Sequence, residues 1–492
     1  MNFRLVAKIL GVLLFLIGLG MGACAGYAWF EMQTSPEKGL DALHSLGWSA
    51  GITIGIGLLG FLLGRGTGNE VLRREAIVVV GLGWILSGLA GCLPFLIGSP
   101  HLGFAGAFFE SMSGFTTTGS TVINDLDLYP RAILLWRSVI QWLGGIGIVV
   151  LFVAVLSFLG VGSRSLMQHE SSLNISDTAA ARIRDVAKKL LLIYVGLTAL
   201  CGVGLWLLGM TPFEAVCHAM TTISTGGFST ENQSIGHWDN LALEGWITLF
   251  MLLGSVSFML YVFVANRRWS RLKAEEEARY YVLLLAVACL AIGANLWLTN
   301  ESTGFLLGLR RAFFTIVSIS TTTGFGTEDY DQWPTFSRLL LLGLMAIGGC
   351  AGSTAGGMKM NRLILFAKIS VQELVKSFRP HQVFRLRLNG TTPDDSVRLQ
   401  TTLFLSFAFG TTGMVSLLVA LMEPHLDLTS AFGAVLATLF NIGPGMGMVG
   451  PTDNFSSLHP TSLILLSLVM ALGRLEFFAV LVLFLPSLWK RY

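Results

Sequence analysis

The sequence predicts an all-α membrane protein with ten transmembrane helices and a fourfold internal repeat. Composition is the first reason: of 492 residues, 53% are hydrophobic and 12% are charged, and the mean hydropathy is +0.69. A water-soluble globule cannot bury so much apolar surface. The second reason is a segment pattern that occurs four times along the chain. The solvent around this chain is therefore predicted to be largely lipid.

Long apolar runs predict the membrane-spanning helices. A helix needs about 20 apolar residues to cross the hydrocarbon layer. The first run follows Arg4 and Lys8 but is longer than the core of a typical secretory signal, so we expect it to be a retained helix. The ten runs are 9–30, 42–64, 76–98, 138–162, 190–211, 245–266, 280–300, 339–358, 399–422 and 461–489, the last interrupted by Arg474 and Glu476.

The basic residues predict the orientation of the chain. Most of the 32 Lys and Arg residues fall at the termini or in connections that share one side of the membrane. The positive-inside rule assigns that side, and both termini, to the cytoplasm. The six cysteines and eight histidines are scattered and form no CxxC or HExxH pattern, so no disulfide framework or metal site is predicted.

Four short apolar segments lie between predicted spans and end in similar polar clusters. Apolar segments of about 10–14 residues are too short to cross a membrane and suit re-entrant helices. They read AFFESMSGFTTTG at 107–119, EAVCHAMTTISTG at 214–226, AFFTIVSISTTTG at 312–324 and AFGAVLATLFNIG at 431–443, aligned without a gap on Gly119, Gly226, Gly324 and Gly443.

A second match follows each segment inside the next predicted span. It reads LGG at 143–145, LGS at 253–255, IGG at 347–349 and LGR at 472–474. The chain is thus predicted to hold four pseudo-symmetric helix–pore loop–helix repeats around one pore. The predicted parts are two N-terminal transmembrane helices at 1–70 and pore repeats at 71–165, 180–270, 275–375 and 395–492.

The four glycine-ended clusters suggest a pathway for cations. Non-helical backbone at membrane depth is tolerated only where protein buries it or water reaches it. A cation on such an axis can exchange its hydration shell for backbone carbonyls and for Thr or Ser hydroxyls, and the glycines allow the φ values that this requires. The alternative is that the clusters are ordinary helix C-terminal caps, an explanation that suits one copy better than four in register.

These motifs resemble those of the TrkH-type subunits of the Trk/Ktr/HKT potassium transporter superfamily. The similar segments are SGFTTTG at 113–119, TTISTGGFST at 221–230, SISTTTGFGTEDY at 318–330, GGCAGSTAGGMK at 348–359 and NIGPGMG at 441–447. The resemblance implies K+ uptake across a bacterial inner membrane through a selectivity filter. The implied K+-binding filter residues are Thr117, Thr118, Gly119, Ser224, Thr225, Gly226, Thr322, Thr323, Gly324, Asn441, Ile442 and Gly443.

The resemblance also implies an ion preference and partners. A serine at the first filter position tends to accompany sodium transport in the superfamily, and Gly119 therefore favours potassium. Asn441-Ile442 departs from the hydroxyl residues of the other repeats. The implied partners are a second copy of the chain, forming a homodimer, and a cytosolic nucleotide-binding ring of the TrkA type. Basic loops at 163–189, 267–279 and 359–398 would be docking surfaces, although they equally suit positive-inside topology.

A glycine-rich stretch and one arginine are predicted to form a gate. The density of glycine at 348–357 predicts a break in the predicted span, and the resemblance implies an intramembrane gating loop. Tight helix packing by small residues stays open as an alternative. A P-loop requires a preceding strand and a lysine where Met358 stands. The predicted gate residues are Gly348, Gly349, Gly352, Ser353, Thr354, Gly356, Gly357 and Arg474.

Arg474 and Glu110 are the charged residues that the pattern places at membrane depth. An arginine there should face water or a partner, so Arg474 either faces the pore or pairs with a carboxylate. Glu476 is the nearest candidate, but residues two apart on a helix point to different sides. Glu110 is expected to support the first filter loop by hydrogen bonds.

No covalent chemistry is predicted, because the four clusters contain no paired carboxylates, His or Cys. A membrane enzyme is the less favoured class for that reason. No cofactor is expected in this chain, and K+ is the expected transported ion. A sodium-coupled or sodium-transporting member of the same superfamily is the alternative within the transporter class.

Overall fold

The computed structural model describes residues 1–67, 72–159, 175–299, 304–380, 386–390 and 392–489. Within these ranges the regular structure is helical, apart from isolated β-bridge positions at Ile347, Met358 and Leu388. Six of the described helices are long and apolar enough to cross a membrane, or seven if one bent pair is counted as a span. The all-α class is confirmed, whereas the number of ten spans stays a prediction.

Two long helices precede the repeated part of the chain. They are α1 (Phe3–Glu31) and α2 (Pro36–Leu63). They pack closely, since a β-carbon built on Gly11 of α1 would lie 2.6 Å from the carbonyl oxygen of Gly57 in α2. Small residues permit such an approach between helices in lipid.

Four helix–loop–helix units follow, each with a short helix whose C-terminal half is mostly buried. Unit 1 contains α3 (Arg73–Gly91), α4 (Leu93–Ile97), short helix α5 (Phe104–Phe115) and α6 (Arg131–Leu159). Unit 2 contains α7 (Ile175–Leu207), short helix α8 (Pro212–Ile223), α9 (Leu241–Ser255), α10 (Phe258–Ala265) and α11 (Trp269–Lys273).

The third and fourth units have the same order. Unit 3 contains α12 (Glu277–Leu298), short helix α13 (Phe305–Ser320), α14 (Thr335–Met345) and α15 (Met360–Phe378). Unit 4 contains α16 (Asp395–Met422), short helix α17 (Leu428–Leu439), α18 (Pro460–Arg474), α19 (Phe478–Leu481) and α20 (Pro486–Trp489). The repeat boundaries predicted from the sequence are not tested by these bounds.

The helix after each loop behaves differently in unit 1 and in the other three units. In unit 1, α6 runs without a break past Gly144 and Gly145. In unit 3 the break predicted within 348–357 is present, because residues 346–359 separate α14 from α15.

Two of the predicted spans are not single helices in the structure. The run 245–266 is two helices, α9 and α10, that meet at 89°. The run 461–489 ends its first helix at Arg474, and Glu476 and Phe477 follow with φ of +58° and +63°. The break after α9 frees polar backbone groups for partners elsewhere in the chain, since the Cys350 amide donates to the Ser255 carbonyl at 2.8 Å.

Candidate functional site

The four loops share one backbone conformation. Each short helix ends, and the second residue after its last helical residue takes a left-handed φ between +52° and +57°. Two residues later a glycine takes a φ between +76° and +109°. Only glycine adopts the latter region without strain. The left-handed residues are Thr117, Thr225, Thr322 and Asn441, and the glycines are Gly119, Gly227, Gly324 and Gly443.

This conformation corrects the sequence alignment of the second loop. The gap-free alignment placed Gly226 opposite Gly119, but the left-handed residue before it is Thr225 and the glycine with positive φ is Gly227. Gly226 therefore corresponds to Thr118, and the second loop is displaced by one residue. Ser224 is the cap residue of α8 and does not hold the position that the alignment gave it.

The glycines join the four loops into a closed ring. A β-carbon built on Gly119 would lie 2.2 Å from the carbonyl oxygen of Gly226. The same approach recurs from unit 2 to unit 3, from unit 3 to unit 4 and from unit 4 back to unit 1. The remaining pairs are Gly227 with Thr323 at 1.8 Å, Gly324 with Ile442 at 2.1 Å, and Gly443 with Thr118 at 2.9 Å.

The left-handed residues place a side-chain oxygen at the turn of each loop. All four left-handed residues carry a side-chain oxygen and are fully buried. The Thr117 hydroxyl and the Asn441 amide oxygen have no hydrogen-bond partner in the described part of the chain. A buried oxygen without a donor is available to a cation. The Asn441 amide nitrogen donates to the Thr118 hydroxyl at 2.9 Å, which links units 4 and 1.

A buried charged group braces the loop of unit 1. Glu110 pairs with Arg137 at 2.8 Å, and the side chains of both are at most 2% exposed. Glu110 also accepts from the Val122 amide at 3.1 Å and from the Thr121 hydroxyl. The expected hydrogen-bonded support by Glu110 is thus confirmed. Arg137 was not predicted from the sequence, although it extends the brace by donating to the Ser229 carbonyl of unit 2 at 3.2 Å.

Gln141 continues this brace to the second loop. Its amide nitrogen donates to the Gly226 carbonyl at 2.6 Å, and its amide oxygen accepts from the Phe228 amide at 3.1 Å. Arg137 and Gln141 lie four residues apart on α6, and such residues share a helix face. That spacing is the signal by which the sequence could have identified them.

Residues 346–359, here called the glycine-rich segment, form a closed loop between α14 and α15. Its ends pair where the Gly348 amide donates to the Met358 carbonyl at 2.9 Å and the Met358 amide donates to the Ala346 carbonyl at 3.1 Å. A β-carbon on Gly348 would lie 2.0 Å from the Gly356 carbonyl oxygen, so the closure depends on glycine. The helix α14 precedes it where a P-loop has a strand, which excludes a P-loop here.

The glycine-rich segment contacts the loops of units 2, 3 and 4. The Thr354 hydroxyl lies 2.9 Å from the carbonyl oxygen of Ile223, the last residue of α8. The Gly356 amide donates to the Thr322 hydroxyl at 2.6 Å, and the Gly357 amide donates to the Phe440 carbonyl at 2.8 Å. The predicted gate residues therefore lie directly against the predicted filter.

Arg474 also contacts the glycine-rich segment. Its guanidinium donates to the Thr354 carbonyl at 2.9 Å and is 4% exposed. Two of its nitrogens, Nε and Nη2, have no partner among the described residues. Glu476 is paired with Arg362 instead. Within the described residues the alternative of a structural ion pair with a carboxylate is therefore not supported, and the charge lies beside the C-terminal ends of the short helices, which are negative.

Similar proteins are known over the whole length of the chain. A family model described as TrkH, cation transport protein, matches residues 62–306 and 307–491. The chain is 36% identical over 496 residues to the Trk system potassium uptake protein TrkH of Escherichia coli (strain K12), covering 100% of both. It is 37% identical over 501 residues to the protein of that name from Halomonas elongata, again covering 100% of both.

A solved structure is also similar to this one. The crystal structure of the potassium transporter TrkH from Vibrio parahaemolyticus has a TM-score of 0.88 to this chain at 34% sequence identity, and the match covers 100% of each chain. The Trk system potassium uptake protein TrkG of Escherichia coli (strain K12) is 32% identical over 430 residues, covering 86% of this chain and 87% of the relative.

Proposed function

This chain belongs to the TrkH family of cation transport proteins, and we propose that it carries K+ through the ring formed by its four loops. As a family member with several long apolar helices it is a multi-pass membrane protein. Its relatives in Escherichia coli and Halomonas elongata are named potassium uptake proteins. The observation that carries the proposal is the closed series of contacts between each glycine and the next unit's carbonyl.

The ring supplies the groups that a dehydrated cation needs. Backbone carbonyls at the four turns replace water ligands, and the side-chain oxygens of the left-handed residues add a second layer. Each short helix ends at its loop, so the negative ends of four helix dipoles act on the same ion. No acidic side chain is required in this arrangement. The predicted filter residues, with Gly227 added for the second loop, bind K+ in this proposal.

The glycine-rich segment and Arg474 form the gate in this proposal. The segment is hydrogen-bonded to three of the four loops, and the Arg474 guanidinium donates to one of its carbonyls. A fixed positive charge next to the ion path opposes a cation. Movement of the segment would take its small residues away from the path and break its hydrogen bond with Arg474, which opens the path.

The regulatory and cellular parts of the proposal follow from the family. We assign the chain to the bacterial inner membrane with both termini in the cytoplasm, as a homodimer that a TrkA-type nucleotide-binding ring controls. The basic loops 163–189, 267–279 and 359–398 are the proposed docking surfaces, and residues 160–174, 381–385 and 391 lie outside the described part of the chain.

Purified protein in liposomes tests the transported ion. We expect uptake of rubidium-86 that excess external K+ suppresses strongly and Na+ suppresses weakly. Uptake should persist in sodium-free buffer, which distinguishes K+ conduction from sodium-coupled transport. Equal suppression by Na+ and K+, or loss of uptake without sodium, would contradict the proposal.

A further inference from the structure

Glu277 is a buried carboxylate that the proposed pathway does not use. It is the first residue of α12 and is 3% exposed. One of its oxygens, Oε1, accepts from the Ala351 amide at 2.7 Å and from the Asn361 amide at 3.0 Å. Ala351 lies within the glycine-rich segment, and Asn361 lies just beyond its end. A single oxygen of α12 therefore ties together the segment and the start of α15.

The bond to Asn361 also serves as a helix cap. Asn361 is in the first turn of α15, where backbone amides have no intrahelical acceptor. The residue before that helix, Lys359, provides no side-chain cap. The Glu277 carboxylate replaces the missing cap and is favoured by the positive end of the helix dipole. It fixes the start of α15 relative to the glycine-rich segment.

Neighbouring glutamates attach the same turn to more distant parts of the chain. Glu276 forms a salt bridge with Lys368, farther along α15. The Glu276 amide donates to the Asn389 side chain at 2.9 Å, and the Asn389 side chain donates to Glu275 at 3.1 Å. Both attachments lie in the 359–398 region beyond the glycine-rich segment. Residues 275–277 thus connect that region to the segment that contacts the filter loops.

We propose that Glu277 is the positioning residue that couples α15 to the glycine-rich segment. When α15 shifts, the shared oxygen moves the segment with it, because Ala351 and Asn361 donate to the same atom. This inference depends on the proposed gate only where it predicts a change in ion flux. The placement of the segment itself can be measured without any transported ion.

Cys350 provides the measurement, because it lies in the segment next to Ala351 and is 1% exposed. All six cysteines of the chain are buried free thiols, so the other five serve as internal controls for folding. The full chain is reacted with a membrane-permeant maleimide, and labelling of each cysteine is followed by peptide mass spectrometry. The variants are Glu277→Ala, Glu277→Gln and, as control, Glu373→Gln on the exposed side of α15.

We expect Glu277→Ala to raise the labelling rate of Cys350 about tenfold, because two charge-assisted hydrogen bonds are lost. Glu277→Gln keeps an acceptor oxygen and should raise it about two- to threefold. Glu373→Gln should leave it unchanged. If the alanine variant does not fold, the glutamine variant decides.

Two results overturn the inference: an unchanged Cys350 rate in the Glu277 variants, or an equal rise at all six cysteines. A rise confined to Cys350 supports it. If that rise leaves rubidium-86 flux unchanged, Glu277 still positions the segment and the gating part of the proposed function fails.

Discussion

Units 1 and 3 have the same loop conformation but stabilise it in different ways. Glu110 and Thr315 both lie five residues before the end of their short helix, yet only Glu110 carries a charge and an ion pair. The helix after the loop is continuous in unit 1 and ends at Met345 in unit 3. The glycine-rich segment then occupies the space that a continuous helix would fill.

This comparison shows that the backbone conformation of a loop does not depend on the side chains that brace it. The left-handed residue and the glycine give all four loops the same turn, whether or not a brace is present. The buried ion pair and Gln141 fix unit 1 to unit 2, whereas the ion pairs of unit 3 with its neighbours, Arg310 with Glu244 and Arg362 with Glu476, are partly exposed. In the proposed function, unit 1 is the fixed side of the ring and unit 3 carries the segment that moves.

Breaking the brace of unit 1 should have the largest effect. Glu110→Gln leaves the Arg137 guanidinium buried without its counter-charge, which should cost about 3–5 kcal/mol of stability. Thr315→Val, the matched change in unit 3, should cost about 1 kcal/mol or less. The measurement is unfolding of both variants by a denaturing detergent. Equal losses in the two units would remove the distinction between them.

The second prediction tests the corrected alignment of the second loop, which Gln141 of unit 1 contacts. Gly227→Ala puts a β-carbon at positive φ, 1.8 Å from the Thr323 carbonyl oxygen, and should reduce rubidium-86 flux more than about tenfold. Gly226 has no positive φ, and the three atoms nearest to a β-carbon there all belong to the Gln141 side chain, so Gly226→Ala should reduce flux about two- to threefold. A larger loss of flux in Gly226→Ala than in Gly227→Ala would favour the gap-free alignment instead.

The third prediction concerns Arg474 of unit 4, which contacts the glycine-rich segment of unit 3. Arg474→Ala should increase flux several-fold, because a charge about 8 Å from a monovalent cation repels it by about 2 kcal/mol at an effective dielectric constant of about 20. Arg474→Lys keeps the charge and should change flux much less. Flux and melting temperature are measured on the same preparation. Lost stability with flux unchanged or reduced would show that Arg474 acts only in packing.

The smallest expected effect is at Asp331, a carboxylate that joins units 3 and 4 and forms no salt bridge among the described residues. Asp331 accepts from the Gly447 amide at 2.9 Å, and burial raises its pKa to about 6, with Asp329 and Asp453 adding to this effect and Arg338 opposing it. Because the folded protein holds this proton more tightly, Asp331 should make stability fall as pH rises from about 4 to about 6. Asp331→Asn should lower this slope in melting temperature. A slope equal to that of the wild type would contradict the assignment.

The turns of the four loops were predictable from the sequence. The side chains that brace these turns were only partly predictable. Thr-Gly and Asn-Ile-Gly after a short apolar run indicate a helix end followed by a turn that needs glycine, and all four turns are present. The register of unit 2 was wrong because STGG offers two glycines. Only the end of α8 at Ile223 decides between them.

The breaks in the later helices depend on contacts far along the chain. The break between α14 and α15 was predicted, within 348–357, from local glycine density. The break after Ser255 was not, because VSF at 256–258 has no strong helix breaker. Its cause is distant: the Cys350 amide donates to Ser255, and the Phe258 amide donates to Gly352 at 3.0 Å. Local propensity contains no information about such partners.

The contact that closes the ring has a consequence for biosynthesis. Ser120 donates to the Gly443 carbonyl at 2.7 Å across a separation of 323 residues, and Gly443 packs against Thr118. Contacts between distant parts of a chain form late, because the whole intervening segment must first be present. A nascent or truncated chain that lacks unit 4 has three sides of the ring and no closure. In the proposed function, the membrane therefore holds no complete ion path from this chain until its synthesis is almost finished.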